Sequence, residues 1–239
     1  MARSLKLTTN PSYLPAAVIF DMDGVLVDSN PFHVQKWAEL LTEHKIPFSE
    51  EELPRQILGQ RNDRVFHLFF GSGMGETEMR EIEARLEENF RRAFRLHAKL
   101  LPGLRDLAGE LRSAGLPIAL ASSAMPQNID FVMDTLRCRS YFSSVMSGDD
   151  VHQPKPHPEI YLKTAEKLGI DPAGCIAFED SFVGIEAAKS AGMKCIAISS
   201  TFPAEELRDK TDADLVAPDF QKLSLPVLQS LFSSNTRQF

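Results

Sequence analysis

From Pro102-Gly103 onward the chain alternates short apolar runs with segments of helical spacing, and this alternation restricts the fold more than any other feature. A helix over Leu104–Ser113 leads into the apolar run 117–121, and a helix after Pro126 leads into 142–146. A helix over 158–168 leads into 175–178, a helix over 182–191 into 194–198, and 214–216 is a last short run. Gly115, Gly169 and Gly192 stand where helices should close, each just before a strand. Earlier, the partly β-branched run 16–20 stops abruptly at Asp21-Met22-Asp23-Gly24, the pattern of a buried strand and a turn. Together these predict an α/β fold: a doubly wound, Rossmann-like parallel sheet with helices on both faces.

Residues 29–100 break the alternation. Phe32, Trp37, Leu40 and Leu41 recur at helical spacing, as do Ile82, Leu86, Phe90, Phe94 and Leu96, with a loop at Gly71-Ser72-Gly73-Met74-Gly75 between them. The expected organisation is a core of residues 1–29 plus 101–239, with an all-helical insertion, 30–100, placed after the first strand.

Charge narrows the partners. With 26 Lys+Arg against 33 Asp+Glu, the net charge of -7 argues against coating nucleic acid or anionic membrane. The basic run Arg91-Arg92-Ala93-Phe94-Arg95 sits in a balanced block, 11 basic against 12 acidic residues over 30–99, and reads as a solvated helix face. The apolar runs are too short to cross a bilayer. The first 15 residues show no secretory pattern; Arg3 and Lys6 without an acid fit either a short organellar address or a frayed polar terminus. Cys138, Cys175 and Cys195 suit buried thiols in a reducing compartment better than disulfides or a zinc site. A cytoplasmic monomer with a small-molecule substrate is expected.

In open parallel sheets, ligands bind outside the carboxyl ends of the strands. The residues that follow the strands here are Asp21, Asp23 and Gly24, then Ser122 and Ser123, then Lys155 between two prolines, then Glu179, Asp180 and Ser181. Converging on one edge, this set suits phosphoryl transfer. A carboxylate can attack phosphorus. Crowded carboxylates need a hard cation, and oxygen ligands select Mg²⁺, which also clamps phosphate oxygens. Ser122 offers a donor to the phosphate and Lys155 a positive charge where oxygens gather negative charge. The plainer readings are a helix cap for Ser122, a surface lysine for Lys155 and an acid pair at a helix start for Glu179-Asp180.

These motifs, Phe20-Asp21-Met22-Asp23-Gly24-Val25, Ala121-Ser122-Ser123, Lys155-Pro156 with Pro158, and Phe178-Glu179-Asp180-Ser181 with Gly184, occur in the order found in the haloacid dehalogenase superfamily. From residue 16 onward the chain resembles that superfamily's β-phosphoglucomutase-like phosphatases. The resemblance implies Asp21 as nucleophile and Asp23 as general acid, then base. It implies Mg²⁺ held by Asp21, the Asp23 backbone carbonyl, Asp180 and Glu179, and a mobile helical cap. An aspartate at position 23 favours a phosphate over a halide substrate, because an alkoxide leaving group needs a proton and a halide does not.

The cap sets the substrate. Ser29, His33 and Trp37 match positions found in the sugar phosphomutases, and Gly59-Gln60-Arg61-Asn62-Asp63-Arg64 lies where the family carries its specificity loop. Gly59, Arg61 and Arg64 are therefore candidate substrate contacts, with solvated helix surface as the other reading of the arginines. His33 is either catalytic or structural, and Trp37 either cap packing or a substrate platform. Against a mutase, the family's distal-phosphate lysine aligns with Leu86, beside Arg85. The reading is a sugar-phosphate phosphatase, with a β-phosphoglucomutase-type mutase second. A phospho-acceptor switch and an idle binding protein stand behind both, the switch disfavoured because it has no use for a 70-residue insertion.

Overall fold

The computed structural model describes residues 14–71 and 73–233; the segment with Arg3 and Lys6, and Ser72 of the glycine-rich loop, lie outside the described residues. Six parallel strands form one sheet: β1 (Ala17–Phe20), β2 (Ile118–Ala121), β3 (Ser144–Met146), β4 (Cys175–Glu179), β5 (Lys194–Ile198) and β6 (Leu215–Ala217). Their order is β3-β2-β1-β4-β5-β6. Every residue of β1, β2 and β4 is buried, which is why these strands read as unbroken apolar runs rather than alternating ones. Val18, Phe20, Leu120 and Phe178 feed the core on one face, while Ala17, Ile19, Ala119 and Ala177 feed the other. Phe20 lies opposite Phe178 in the β1–β4 register and stacks on it at 4.7 Å. Such a pair adds about 0.5–1.5 kcal/mol beyond the area it buries.

Between β1 and β2 run α1 (Asn30–Glu43), α2 (Leu53–Ile57), α3 (Asn62–Phe70), α4 (Glu76–Phe94) and α5 (Leu104–Ser113). α6 (Pro126–Leu136), α7 (Glu159–Leu168) and α8 (Phe182–Ser190) connect the following strands, and α9 (Ala204–Lys210) and α10 (Leu225–Ser230) flank β6. The chain departs at Val27 and returns at Leu100, where the two residues form an antiparallel bridge and the Leu101 amide donates to Leu26 O at 2.9 Å. Beyond that crossing α1 packs on α4, with Trp37, Leu40, Leu41, Ile82 and Leu86 buried.

Three contacts press the helical segment onto the sheet's carboxyl edge. Arg55 of α2 pairs with Glu206 of α9 at 2.5 Å and lies over the Phe182 and Phe202 rings at 5.3 and 5.5 Å. Arg61 donates to the carbonyls of Val151 and Gly148 at 2.9 and 3.2 Å. Ser123 Oγ donates to Gly59 O at 2.8 Å. Among the described residues, no helix is long and apolar enough to cross a membrane. Cys138, Cys175 and Cys195 are all free and buried.

Candidate active site

β1 is the strand at which the sheet's connections reverse, with β2 on one side and β4 on the other, so the residues just beyond it face a natural crevice. The backbone ladder continues one residue past the strands: Asp21 N donates to Phe178 O and Ser122 N to Met146 O, each at 3.0 Å. This registers Asp21 and Ser122 on the same edge. Gly24 then turns the chain with φ +76°, and a Cβ there would lie 2.0 Å from Asp180 Oδ2 and 2.5 Å from Asn30 Nδ2. Only glycine lets β1's exit loop pass this close to the acid on β4's exit loop.

Lys155, 1% exposed, donates to Asp21 Oδ1 at 2.7 Å and to Glu179 Oε1 at 2.6 Å. Tyr161 donates its hydroxyl to the same Glu179 oxygen at 2.5 Å. Asp180 accepts from Asn30 Nδ2 at 2.7 Å and from the Thr201 hydroxyl. Carboxylate oxygens of Asp21, Glu179 and Asp180 all lie within 4.8 Å of one another. One ammonium thus faces three buried acids. Burial first, then the repulsion of Glu179, pushes the Asp21 carboxyl well above the usual range although Lys155 pulls it back. Asp180 is raised for the same reasons, burial first, then Glu179 and Asp21. Lys155 responds oppositely: burial works against its charge, but Asp21 and Glu179 outweigh it and raise the ammonium's pKa.

An oxygen-only donor set with unbalanced negative charge suits a hard divalent cation such as Mg²⁺. Glu179 is the most heavily engaged of the three acids, since its second oxygen accepts from Asp180 N at 3.2 Å and Ser181 Oγ at 3.4 Å. Its geometry therefore suits holding Lys155 and the turn after β4 at least as well as ligating a cation.

Asp23 stands apart from this cluster, on the cavity wall. It accepts from the Ser29 hydroxyl and meets His33 Nε2 at 3.1 Å, while the His33 ring stacks on Phe90 with centroids 4.1 Å apart. Burial raises the Asp23 carboxyl, but His33 and Ser29 outweigh that and hold it below the usual range. Ser122, 1% exposed, accepts from Ala124 N at 3.1 Å. It does not cap α6, whose N-cap is Met125.

Asp21, Asp23, Ser122 and Ser123 share a cavity of about 60 Å³ with His33, Trp37 and Gly59 from the helical segment. That is room for a few water molecules. Gly59 has φ +75°, and a Cβ there would fall 2.3 Å from Ser181 Oγ, so its loop lies directly on the turn after β4.

The two arginines of that loop are not brought to the cavity. Arg64 is exposed, because the buried face of α3 is carried by Val65 and Phe66. Arg61 is spent on a two-pronged pair with Asp63, at 2.8 and 2.6 Å, besides the two carbonyls it clasps. Leu86 is buried, and Arg85 is exposed with only a 3.6 Å contact to Glu43. The cavity wall instead carries Gln60 and Asn62 of the same loop, together with polar residues that sequence reasoning passed over: Asn30, Lys36, Glu87 and Asn128. Their signal was present, since Lys36 and Glu87 fall on the apolar faces of α1 and α4, beside Trp37 and Leu86.

The sequence model of the haloacid dehalogenase-like hydrolases matches residues 15–192, from the start of β1 past the end of α8. The chain belongs to this family. Among curated relatives, a phosphorylated carbohydrates phosphatase of Thermotoga maritima is 33% identical over 180 residues, 75% of this chain and 83% of its own. Hexitol phosphatase B of Escherichia coli K12 is 33% identical over 220 residues, 89% of this chain and 93% of its own. Of solved structures, the β-phosphoglucomutase of Clostridium difficile is similar to this hydrolase with a TM-score of 0.78 at 26% identity, covering 91% of this chain and 96% of that one. The six-stranded parallel sheet of this hydrolase is thus the family's Rossmann-like fold.

Proposed function

We propose that this hydrolase is a Mg²⁺-dependent phosphatase of small phosphorylated metabolites, sugar or polyol phosphates foremost, acting through an aspartyl-phosphate on Asp21. One observation carries the reading: Asp21 is held from behind by Lys155, opens onto the cavity, and shares that cavity with Asp23 and Ser122. The similarity to two carbohydrate-type phosphatases supports the substrate class.

In the first step an Asp21 oxygen bonds to phosphorus as the bond to the substrate's alkoxide breaks, and Asp23 gives its proton to the departing oxygen. His33 and Ser29 hold Asp23 ionised beforehand; an arriving phosphate beside it favours the protonated form, the direction an acid requires. In the second step Asp23 takes a proton from water, whose oxygen bonds to phosphorus and releases Asp21. Ser122 Oγ donates to a phosphate oxygen, and Lys155 balances charge as Asp21 is consumed and regenerated. Asp21, Asp180, the Asp23 carbonyl and Glu179 would hold Mg²⁺, which supplies charge neutralisation and orientation of the phosphate.

We further assign residues 30–100 the part of a cap that must lift from a core of 1–29 plus 101–239, because the cavity beneath it is too small for a sugar phosphate. A cytoplasmic setting fits three buried, unpaired thiols, and a monomer is the assembly we propose for it.

A phosphomutase is the second reading, favoured by the likeness to a β-phosphoglucomutase and by His33 beside Asp23. Against it, Leu86 is apolar and Arg61 is occupied, leaving neither free to hold a second phosphate.

The test is phosphate release from a panel of sugar, polyol and nucleoside monophosphates with Mg²⁺. Steady release is expected from wild type, and none from Asp21→Asn at an unchanged melting temperature. Release by Asp21→Asn would remove the nucleophile assignment. A single stoichiometric phosphorylation would make the protein a switch, and isomerisation of a hexose 1-phosphate faster than phosphate release would make it a mutase.

A further inference from the structure

Opposite the strand ends, the cavity is closed by a polar wall assembled from four helices and the loop before α3. Glu87 of α4 is 2% exposed and accepts from Lys36 Nζ of α1 at 2.5 Å and Asn62 Nδ2 of α3 at 2.6 Å through one oxygen. Its other oxygen accepts from Asn128 Nδ2 of α6 at 2.7 Å. Lys36 is 7% exposed and lies over the Phe90 ring at 5.1 Å. Asn128, 1% exposed, is oriented in turn by Arg91, which donates to its Oδ1 at 2.7 Å. Gln60 lines the same cavity, and its Oε1 is buried with no hydrogen-bond partner among the described residues.

Two features of this wall bear on the ligand. Its lysine is already neutralised: Glu87 is held far down, to about 2, because Lys36 and His33 outweigh the upward push of burial. A second phosphate placed there would find Lys36 already paired and would face Glu87. The orphaned Gln60 oxygen, by contrast, calls for a hydrogen-bond donor, as an alcohol hydroxyl is and a phosphate dianion is not.

Resting on the phosphatase reading above, we infer that Lys36, Gln60, Asn62, Glu87 and Asn128 form the specificity wall. The ligand it selects is an uncharged, polyhydroxylated group carrying one phosphate, its hydroxyls donating to Gln60 and Glu87 and accepting from Lys36 and the Asn128 amide, while Asn62 spends both its amide hydrogens on Glu83 and Glu87. Bisphosphates are excluded by charge. A site built to bond hydroxyls rejects compounds lacking them far more strongly than an apolar pocket rejects an extra group, because its buried polar atoms are then left unpaired.

The experiment measures kcat/KM with Mg²⁺ for three probes: sorbitol 6-phosphate, fructose 1,6-bisphosphate and p-nitrophenyl phosphate, which has no hydroxyl. Wild type should prefer the polyol monophosphate to both others by at least about tenfold. In Glu87→Gln, and separately in Gln60→Leu, the ratio of polyol to p-nitrophenyl turnover should fall by about tenfold or more. Glu87→Gln should also narrow the discrimination against the bisphosphate, since it frees the Lys36 charge. General loss of structure would lower the rates together and leave the ratio standing, so the ratio reports the wall itself. Turnover of p-nitrophenyl phosphate with an unchanged ratio in both variants, or a wild type that prefers the bisphosphate, overturns this inference and leaves the phosphatase standing. No release from any of the three overturns the phosphatase reading and this inference with it.

Discussion

The ionisable side chains at the strand ends are governed by what each is buried against. Asp180 shares its surroundings with Glu179 and Asp21, and burial with that repulsion holds it well above the carboxylate range. Replacing it by Asn removes a carboxyl whose ionised form the protein alone disfavours, while an amide oxygen can still accept from Asn30 and Thr201. Without Mg²⁺, Asp180→Asn should melt no lower than wild type, and the rise in melting temperature on adding Mg²⁺ should shrink. A rise as large as wild type's would take Asp180 out of the cation's ligands. Glu87 has the opposite sign. Its pKa is lowered from 4.5 to about 2, so its contribution is complete above the unfolded value and is lost as pH falls toward the folded one. The difference corresponds to about 3 kcal/mol at most. Urea unfolding at about pH 6 and about pH 3 should therefore show a larger acid loss in wild type than in Glu87→Gln; equal losses would mean that the buried pair contributes no linkage.

At the scale of elements, the exit turn from β1 links fold to chemistry most tightly. Gly24 combines a left-handed backbone with a 2.0 Å clearance to Asp180, so Gly24→Ala must displace either the turn or the acid. The expected result is a loss of about 1–3 kcal/mol in stability, with Mg²⁺-dependent turnover falling by an order of magnitude or more. Wild-type kinetics in a folded Gly24→Ala protein would show that the close approach is not needed. The strands were legible in the sequence because they are buried on both faces: β1, β2, β4 and β5 begin within a residue of the apolar runs that predict them. β3 is shorter than its run, since Phe142 remains outside the ladder after the single helical turn at Arg139–Tyr141 and Ser143 joins it only through its amide, which donates to Ile118 O at 2.7 Å. Helices α9 and α10 were not legible. At 7 and 6 residues they make fewer than two turns, too short for apolar periodicity to separate from a loop.

Over the whole molecule, the two halves of the site differ in how far sequence could reveal them. The strand-end residues each follow an apolar run, and a parallel sheet brings such positions to one edge whatever their separation, which is why Asp21, Ser122, Lys155 and Asp180 could be named together. The polar wall opposite, shared by the helical segment and α6, is made by pairs with no such rule: Lys36 meets Glu87 across 51 positions, and Asn128 meets it across 41. Only the oddity of charges on buried helix faces hinted at it. The loop 59–64 lies against the turn after β4, yet Arg61 fastens the helical segment to the loop after β3 and pairs with Asp63, while Arg64 is exposed. Through all of this runs the claim that Asp21 becomes covalently phosphorylated. Its most direct test is an Asp23→Asn protein, in which turnover should slow by about 10²–10⁴ and the intermediate accumulate. After a short pulse with Mg²⁺ and p-nitrophenyl phosphate, whose leaving group departs without a proton so that only the hydrolysis needing Asp23 is slowed, an acid quench and peptide mapping should find one phosphoryl group on the peptide containing Asp21. It should be absent when Asp21 is also replaced by Asn. A phosphoryl group on another side chain, or none while wild type releases phosphate, would contradict the account.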